Sequence, residues 1–198
     1  MTAQISDRFE FRGKPYTMAG MRGGALFDPA DVGVTPRMLS TACWRGFHCL
    51  YAVTDTALEL RELAIGLSPE DAARAGRGEL PGFEGLTPEA DEWSGLVFRG
   101  LAKRVAFTGG VLLADGFLRE LYVHMGFHPA WKYREVHELL FEDGRLLHAH
   151  DRSAAMAELR AKLTRDPLQP GAKSSRDDIA RWVESTFSLD YGGLLPPS

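Results

Sequence analysis

The sequence predicts an α+β fold: a largely antiparallel sheet of three to four hairpins, free to curl toward a barrel, with about four short helices placed mostly toward the C-terminus. Three observations lead there. Apolar runs of strand length recur along the chain, interrupted by turn-forming dipeptides such as Gly109-Gly110 and Asp143-Gly144. Helix starts are few, and glycine soon ends the two earliest, at Gly76 and Gly78 and before Gly95. Finally, WRGFHCLYAVTDTALELREL, FRGLAKRVAFTGGVLLADGFL and YREVHELLFEDGRLLHAHD each read as an aromatic-arginine start, a strand, a turn and a leucine-rich return. Their turns, near residues 55, 109 and 143, are unevenly spaced, which favours a meander over a solenoid.

Taken in order, Phe9 and Phe11 alternate with Glu10 and Arg12, and Gly13-Lys14 turns the chain into Tyr16-Thr17-Met18. From Ala19 to Thr41, glycine and proline break up the apolar residues. This predicts a long, partly ordered loop with a short turn opening at Thr35-Pro36, and loops of that length are often functional. In FHCLYAV both alternating faces are apolar, so this strand is central or covered on both sides. Thr54-Asp55-Thr56 turns into ALELREL, with Leu58 and Leu60 inward and Glu59 and Arg61 outward. Ser68-Pro69-Glu70-Asp71 opens a helix that Gly76 and Gly78 end: a cap, a proline in the first turn and acids beside the positive end of the dipole. Thr87-Pro88-Glu89 reads as a second, shorter start.

In the next stretch Gly109-Gly110 is read as a hairpin turn with apolar faces on both strands, which buries Phe107, Leu112 and Leu113. Asp115 is read as the N-cap of a helix bearing Phe117, Leu118, Leu121, Tyr122 and Met125, closed by Gly126 with Pro129 just beyond. Asp143-Gly144 makes another hairpin. Ser153 caps SAAMAELRAKL, whose Met156, Leu159 and Leu163 form one stripe. RDPLQPGAKSSRDD is the best linker, and Ser175 with Asp178 resembles a capping box before a helix carrying Ile179, Trp182, Val183 and Phe187. The expected organisation is an α+β core domain over 1–164, with 165–198 a linker and a C-terminal helix packed on the same domain.

Composition narrows the function. The chain has 198 residues, 44% hydrophobic and 25% charged, enough for a substantial core. A net charge of −4 argues against a nucleic-acid partner, and Arg99, Lys103 and Arg104 read as a protected strand edge. No apolar run approaches the ~20 residues that span a bilayer, and MTAQISDRFEFRGK has no apolar signal core. The expectation is a cytoplasmic protein, away from membranes, with Cys43 and Cys49 reduced.

Two groups of residues suggest chemistry. If Asp143-Gly144 is a two-residue turn with regular strands, His137 faces His150 and His148 lies two residues along. His137, His148 and His150 would then share one face, with opposed Cβ atoms ~5 Å apart. Three imidazoles with an open fourth position form a catalytic zinc ligand set, which implies a divalent metal and a hydrolase-like enzyme. The second group is the aromatic and basic run after Pro129. Phe127, Trp131, Lys132, Tyr133 and Arg134 fit an exposed interface loop, since such residue types are enriched at hot spots; an aromatic staple under the loop explains them equally well. His124 and His128 have H-x-x-x-H spacing without the glutamate of HExxH, and helix breakers lie within and just beyond it. Cys43 and His48 suggest a thiol and its base, while Cys49 reads as core. FTGG and AGMRGG match no phosphate-binding loop, and no G-x-S-x-G occurs.

The first expectation is therefore a non-catalytic binding protein whose partner is another protein, for example an inhibitor or immunity-type partner, with no cofactor. The alternative is the metal-dependent enzyme on the three histidines. A ligand-binding barrel with an apolar pocket is a third possibility.

Overall fold

Ten strands form one sheet in the computed structural model, which describes residues 2–80, 83, 85–92, 95–165, 175–177 and 189–191. The strands are β1 (Arg8–Phe11), β2 (Lys14–Gly23), β3 (Phe47–Val53), β4 (Leu58–Ile65), β5 (Glu89–Asp91), β6 (Gly95–Phe98), β7 (Lys103–Arg104), β8 (Gly109–Phe117), β9 (Tyr133–Glu142) and β10 (Arg145–Asp151). Two α-helices accompany them, α1 (Pro69–Gly76) and α2 (Ser153–Arg165), together with short 3-10 turns at Pro29–Val32, Arg119–Leu121 and Ala130–Lys132. The sheet order is β10-β9-β8-β2-β1-β3-β4-β6-β5, with β7 also on β4. β1 and β3 pair in parallel and the other pairings are antiparallel.

The sheet curls without closing. One face gathers Phe9, Met18, Tyr51, Leu58, Leu60, Leu63, Phe98, Val111, Leu113, Leu139 and Phe141 into the main core. The tip of the β9–β10 hairpin reaches across this core: Leu58 N–H donates to the Gly144 carbonyl at 2.7 Å, and Gly144 N–H donates to Phe107 at 2.8 Å. Gly144 holds φ 74°, and a Cβ there would overlap the Val105 carbonyl, so this contact requires glycine. The outer face of β8 and β9 carries a second core, in which Leu112, Ala114 and Val136 meet Met156 of α2, Ala130 and Tyr191.

Several elements match the expectation. The strands FHCLYAV and LELREL lie where alternation places them, and Ser68 caps α1 by accepting from the Asp71 N–H at 3.1 Å. Asp143-Gly144 is a two-residue turn with φ 47° and 74°. Phe107, Leu112 and Leu113 are buried. α2 covers the expected stretch, but Ser153 is its first residue rather than its cap: the Ser153 N–H meets the Asp151 carboxylate at 2.8 Å and its hydroxyl accepts from the Val136 N–H at 3.0 Å.

Other elements differ, each for a physical reason. The first hairpin turns at Arg12-Gly13, one residue early, because both hold positive φ. Gly109-Gly110 is no turn but the start of central strand β8, paired to β2 and β9. The glycines serve close approach, since a Cβ on Gly110 would overlap the Tyr191 hydroxyl that lies against it. Asp115 caps no helix. It continues β8, and the segment behind it makes one 3-10 turn, because pairing with Glu135 across β9 outweighs a lone cap signal. Thr87-Pro88-Glu89 leads into β5 rather than a helix. The described residues thus hold two α-helices, not about four. The expected helix over 179–187 and most of the 165–178 linker lie outside the described residues.

Candidate functional site

The three-histidine face is not assembled. A bulge in β10 sets Leu147 and His148 against Leu140, so the register slips by one residue beyond it. His148 then opposes Leu140, His150 opposes Glu138, and His137 opposes Asp151. His148 and His150 stack on each other, with ring centroids 5.8 Å apart, on the face away from His137. No group of three metal-ligating side chains is brought together among the described residues.

His137 instead joins an acid–base cluster at the open end of the main core. Its Nε2 lies 3.0 Å from Glu135 Oε1, which also accepts from the Tyr16 hydroxyl at 2.8 Å. Lys14 Nζ donates to Glu135 Oε2 at 2.9 Å. Tyr16 and Phe11 both meet the imidazole edge-on. Bonds from Lys14, then His137, then Tyr16 hold the Glu135 carboxyl at about 2, well below the carboxylate range. The cluster is a hydrogen-bonded network that keeps Glu135 ionised, and apart from the Tyr16 phenol no serine, threonine or cysteine joins it in these contacts. A depressed folded pKa means stability present above pH 4.5 and lost as pH falls from there toward 2. Glu135 is about one-third exposed, so solvent screening limits its share to about 1 kcal/mol. Urea melts at pH 5.5 and pH 3 should show Glu135→Gln less acid-sensitive than the wild type; an unchanged acid limb would remove Glu135 from the account.

The run from Phe127 to Arg134 is not an exposed loop. Lys132 and Tyr133 are buried, Phe127 and Trp131 are half-buried, and Arg134 alone of the five is exposed. The cause is α2: Arg160 donates to the carbonyls of Trp131 and Tyr133 at 2.7 and 3.0 Å, while Tyr133 and Trp131 pack into the second core. The contacts are those of an aromatic staple. Beside it, His128 lies 4.7 Å from Phe117 and 5.1 Å from Tyr122, ring to ring, and His124 Nδ1 meets the Tyr122 hydroxyl at 2.9 Å. The H-x-x-x-H spacing thus sets both histidines against Tyr122 rather than around a metal.

Cys43 and Cys49 are free and buried. The Cys43 thiol points to the Phe47 carbonyl at 3.4 Å rather than to His48, and burial raises its pKa, which disfavours the reactive thiolate. Next to it, buried Asp7 pairs with Arg45 and accepts the Cys49 N–H at 2.7 Å, tying the N-terminal segment to β3. A shallow groove of about 520 Å³ near the β1–β2 turn mixes Glu10 with Arg12 and Arg61 and gathers no convergent chemistry.

Exposed apolar side chains that the sequence does not single out lie on the long loop and on the segments bonded beside it. Met38 is 62% exposed, Trp44 46% and Ile5 42%, yet the backbone beneath them is pinned. Ile5 N–H donates to Ala42 at 2.8 Å, Gln4 Nε2 to Thr41 at 3.0 Å, Trp44 N–H to Gln4 Oε1 at 3.2 Å, and Arg37 N–H to Gly66 at 2.8 Å. The available signal was an apolar residue, Met38, inside a Gly/Pro-rich loop too long to be a simple connection.

No family model, curated protein or solved structure matches this chain. No helix among the described residues is long and apolar enough to cross a membrane.

Proposed function

We propose that the protein is a cytoplasmic, non-catalytic binding partner of another protein, of the inhibitor or immunity kind, and that it docks through the face bearing Ile5, Met38 and Trp44. One observation carries this reading: large apolar side chains stand outward from a backbone that is already hydrogen-bonded in place. Such a loop loses little conformational entropy on docking, which is what turns apolar contact area into affinity. Tryptophan and methionine are also among the types enriched at the centres of interfaces. The metal-dependent alternative needed three histidines on one face, and the β10 bulge separates them.

The test is photo-crosslinking in extract of the native host, with the reactive residue at position 38 and, as a control, at exposed Arg145. A discrete adduct should form from position 38 alone and fall at least ~10-fold in Trp44→Ala. Because Trp44 is nearly half exposed, the same change should move the melting temperature by no more than about 2 °C. Equal adducts from both positions, or a melting point several degrees lower, would overturn the reading.

A further inference from the structure

One side chain of the second core arrives from near the end of the chain and fits a slot shaped to it. Tyr191 is 3% exposed, with its ring against the outer face of β2 and β8. Two glycines make room for it. A Cβ on Gly20 would stand 3.0 Å from Tyr191 Cδ1, and a Cβ on Gly110 2.1 Å from the Tyr191 hydroxyl. Neither glycine holds a positive φ, so each supplies space rather than backbone freedom.

The other walls carry matching chemistry. Glu138, 2% exposed, gives Oε2 to Arg152 and turns Oε1 to the Tyr191 hydroxyl, which donates at 3.1 Å. Arg22 Nη2 lies 3.6 Å from the same Oε1, beyond direct hydrogen bonding, so the hydroxyl is the donor that satisfies this oxygen. The Arg22 guanidinium lies over the ring, 5.5 Å from its centroid, where a cation is attracted to the π face. Burial and then the Glu138 charge push the Tyr191 hydroxyl up, which keeps it protonated and donating. Its segment meets the sheet through the Met21 N–H, which donates to the Leu189 carbonyl at 2.6 Å beside a parallel bridge from Met21 to Asp190.

We propose that Gly20, Arg22, Gly110 and Glu138 form a binding slot for a para-substituted phenol, which the chain fills in cis with Tyr191 as a strap across β2 and β8. Each wall selects for that group: the glycines admit the flat ring and its hydroxyl, Arg22 takes the ring face, and the buried carboxylate takes the O–H. A ring without the hydroxyl would leave Oε1 short of a donor, which a buried site penalises. Arg22 is the wall that reaches solvent, its side chain 45% exposed. The slot shares no residue with the Ile5–Met38–Trp44 face, so either can fail without the other.

Tyr191→Gly removes a side chain equivalent to p-cresol, which is therefore the probe; toluene, the same ring and methyl without the hydroxyl, is the control. In the full-length variant p-cresol should bind saturably by calorimetric titration and restore most of the lost melting temperature, with toluene at least ~10-fold weaker. Wild-type protein, its slot filled, should bind p-cresol at least ~100-fold more weakly than the variant. Adding Gly110→Ala places a methyl where the hydroxyl lay and should abolish the binding. Should Tyr191→Gly not fold alone, p-cresol-dependent recovery of the far-ultraviolet circular dichroism is read instead, with the same controls. Titration with N-acetyltyrosinamide separates the two sources of a phenol: binding within ~10-fold of p-cresol admits a chain-borne tyrosine, and binding of p-cresol alone restricts the slot to free phenols. No p-cresol binding or recovery, equal binding of toluene, equal binding by the wild type, or binding that survives Gly110→Ala would each overturn the proposal and leave Tyr191 as packing alone.

Discussion

Glu138→Ala is expected to destabilise the protein by about 3–5 kcal/mol, the cost of breaking a buried ion pair from one side. The carboxylate is 2% exposed. Its Oε2 accepts from Arg152 Nε and Nη2 at 2.9 and 2.7 Å, and its Oε1 accepts from the Tyr191 hydroxyl at 3.1 Å with Arg22 Nη2 at 3.6 Å. One side chain thus links β9 to the start of α2, to β2 and to residue 191. Alanine would leave the Arg152 guanidinium, itself mostly buried, without its counter-charge. Urea melts of Glu138→Ala and of Glu138→Ala with Arg152→Met measure this directly. The double variant should recover part of the loss, because it also removes the stranded charge. A loss below about 1 kcal/mol in the single variant would show that the cluster is solvated and structurally idle.

Leu113→Ala should cost about 2–5 kcal/mol through lost transfer energy and the cavity left behind. Leu113 is fully buried in the middle of β8, flanked in register by Met18 of β2 and His137 of β9, and contributes to the main core. Neighbours held in a paired sheet relax little into such a space, which puts the expected value in the upper half of the range. Denaturant melts check it. A loss under about 0.5 kcal/mol would mean that the concave side of the sheet is not the principal core.

Both residues show how far the sequence carried. The burial of Leu113 is legible, because Val111, Leu112 and Ala114 beside it make both faces of the stretch apolar. The reason is not: Gly109-Gly110 reads as a hairpin, whereas it opens a central strand against which Tyr191 lies. A glycine that permits positive φ and a glycine that permits close approach look alike in sequence. Only the partner, some 80 residues away in the chain, distinguishes them. Glu138 shows the opposite case: its burial is visible only once Arg152, Arg22 and Tyr191 converge on it.

The candidate site divides the same way. Asp143-Gly144 was readable as a turn because the constraint, positive φ at two successive residues, is local. Its consequence for the histidines was not readable, because one extra residue at Leu147 reverses every face beyond it, and no local signal marks a bulge that the sheet imposes. Likewise, Trp131 and Tyr133 stand out by type, but whether they face solvent depends on α2, which packs against them. By itself the sequence determined what short-range chemistry decides: strand alternation in β3 and β4, the capped start of α1, the turn before β10, and an α+β composition. The tertiary structure alone decided strand order, bulges, the faces that α2 covers and which charges find partners, because these depend on groups far apart in the chain meeting in space.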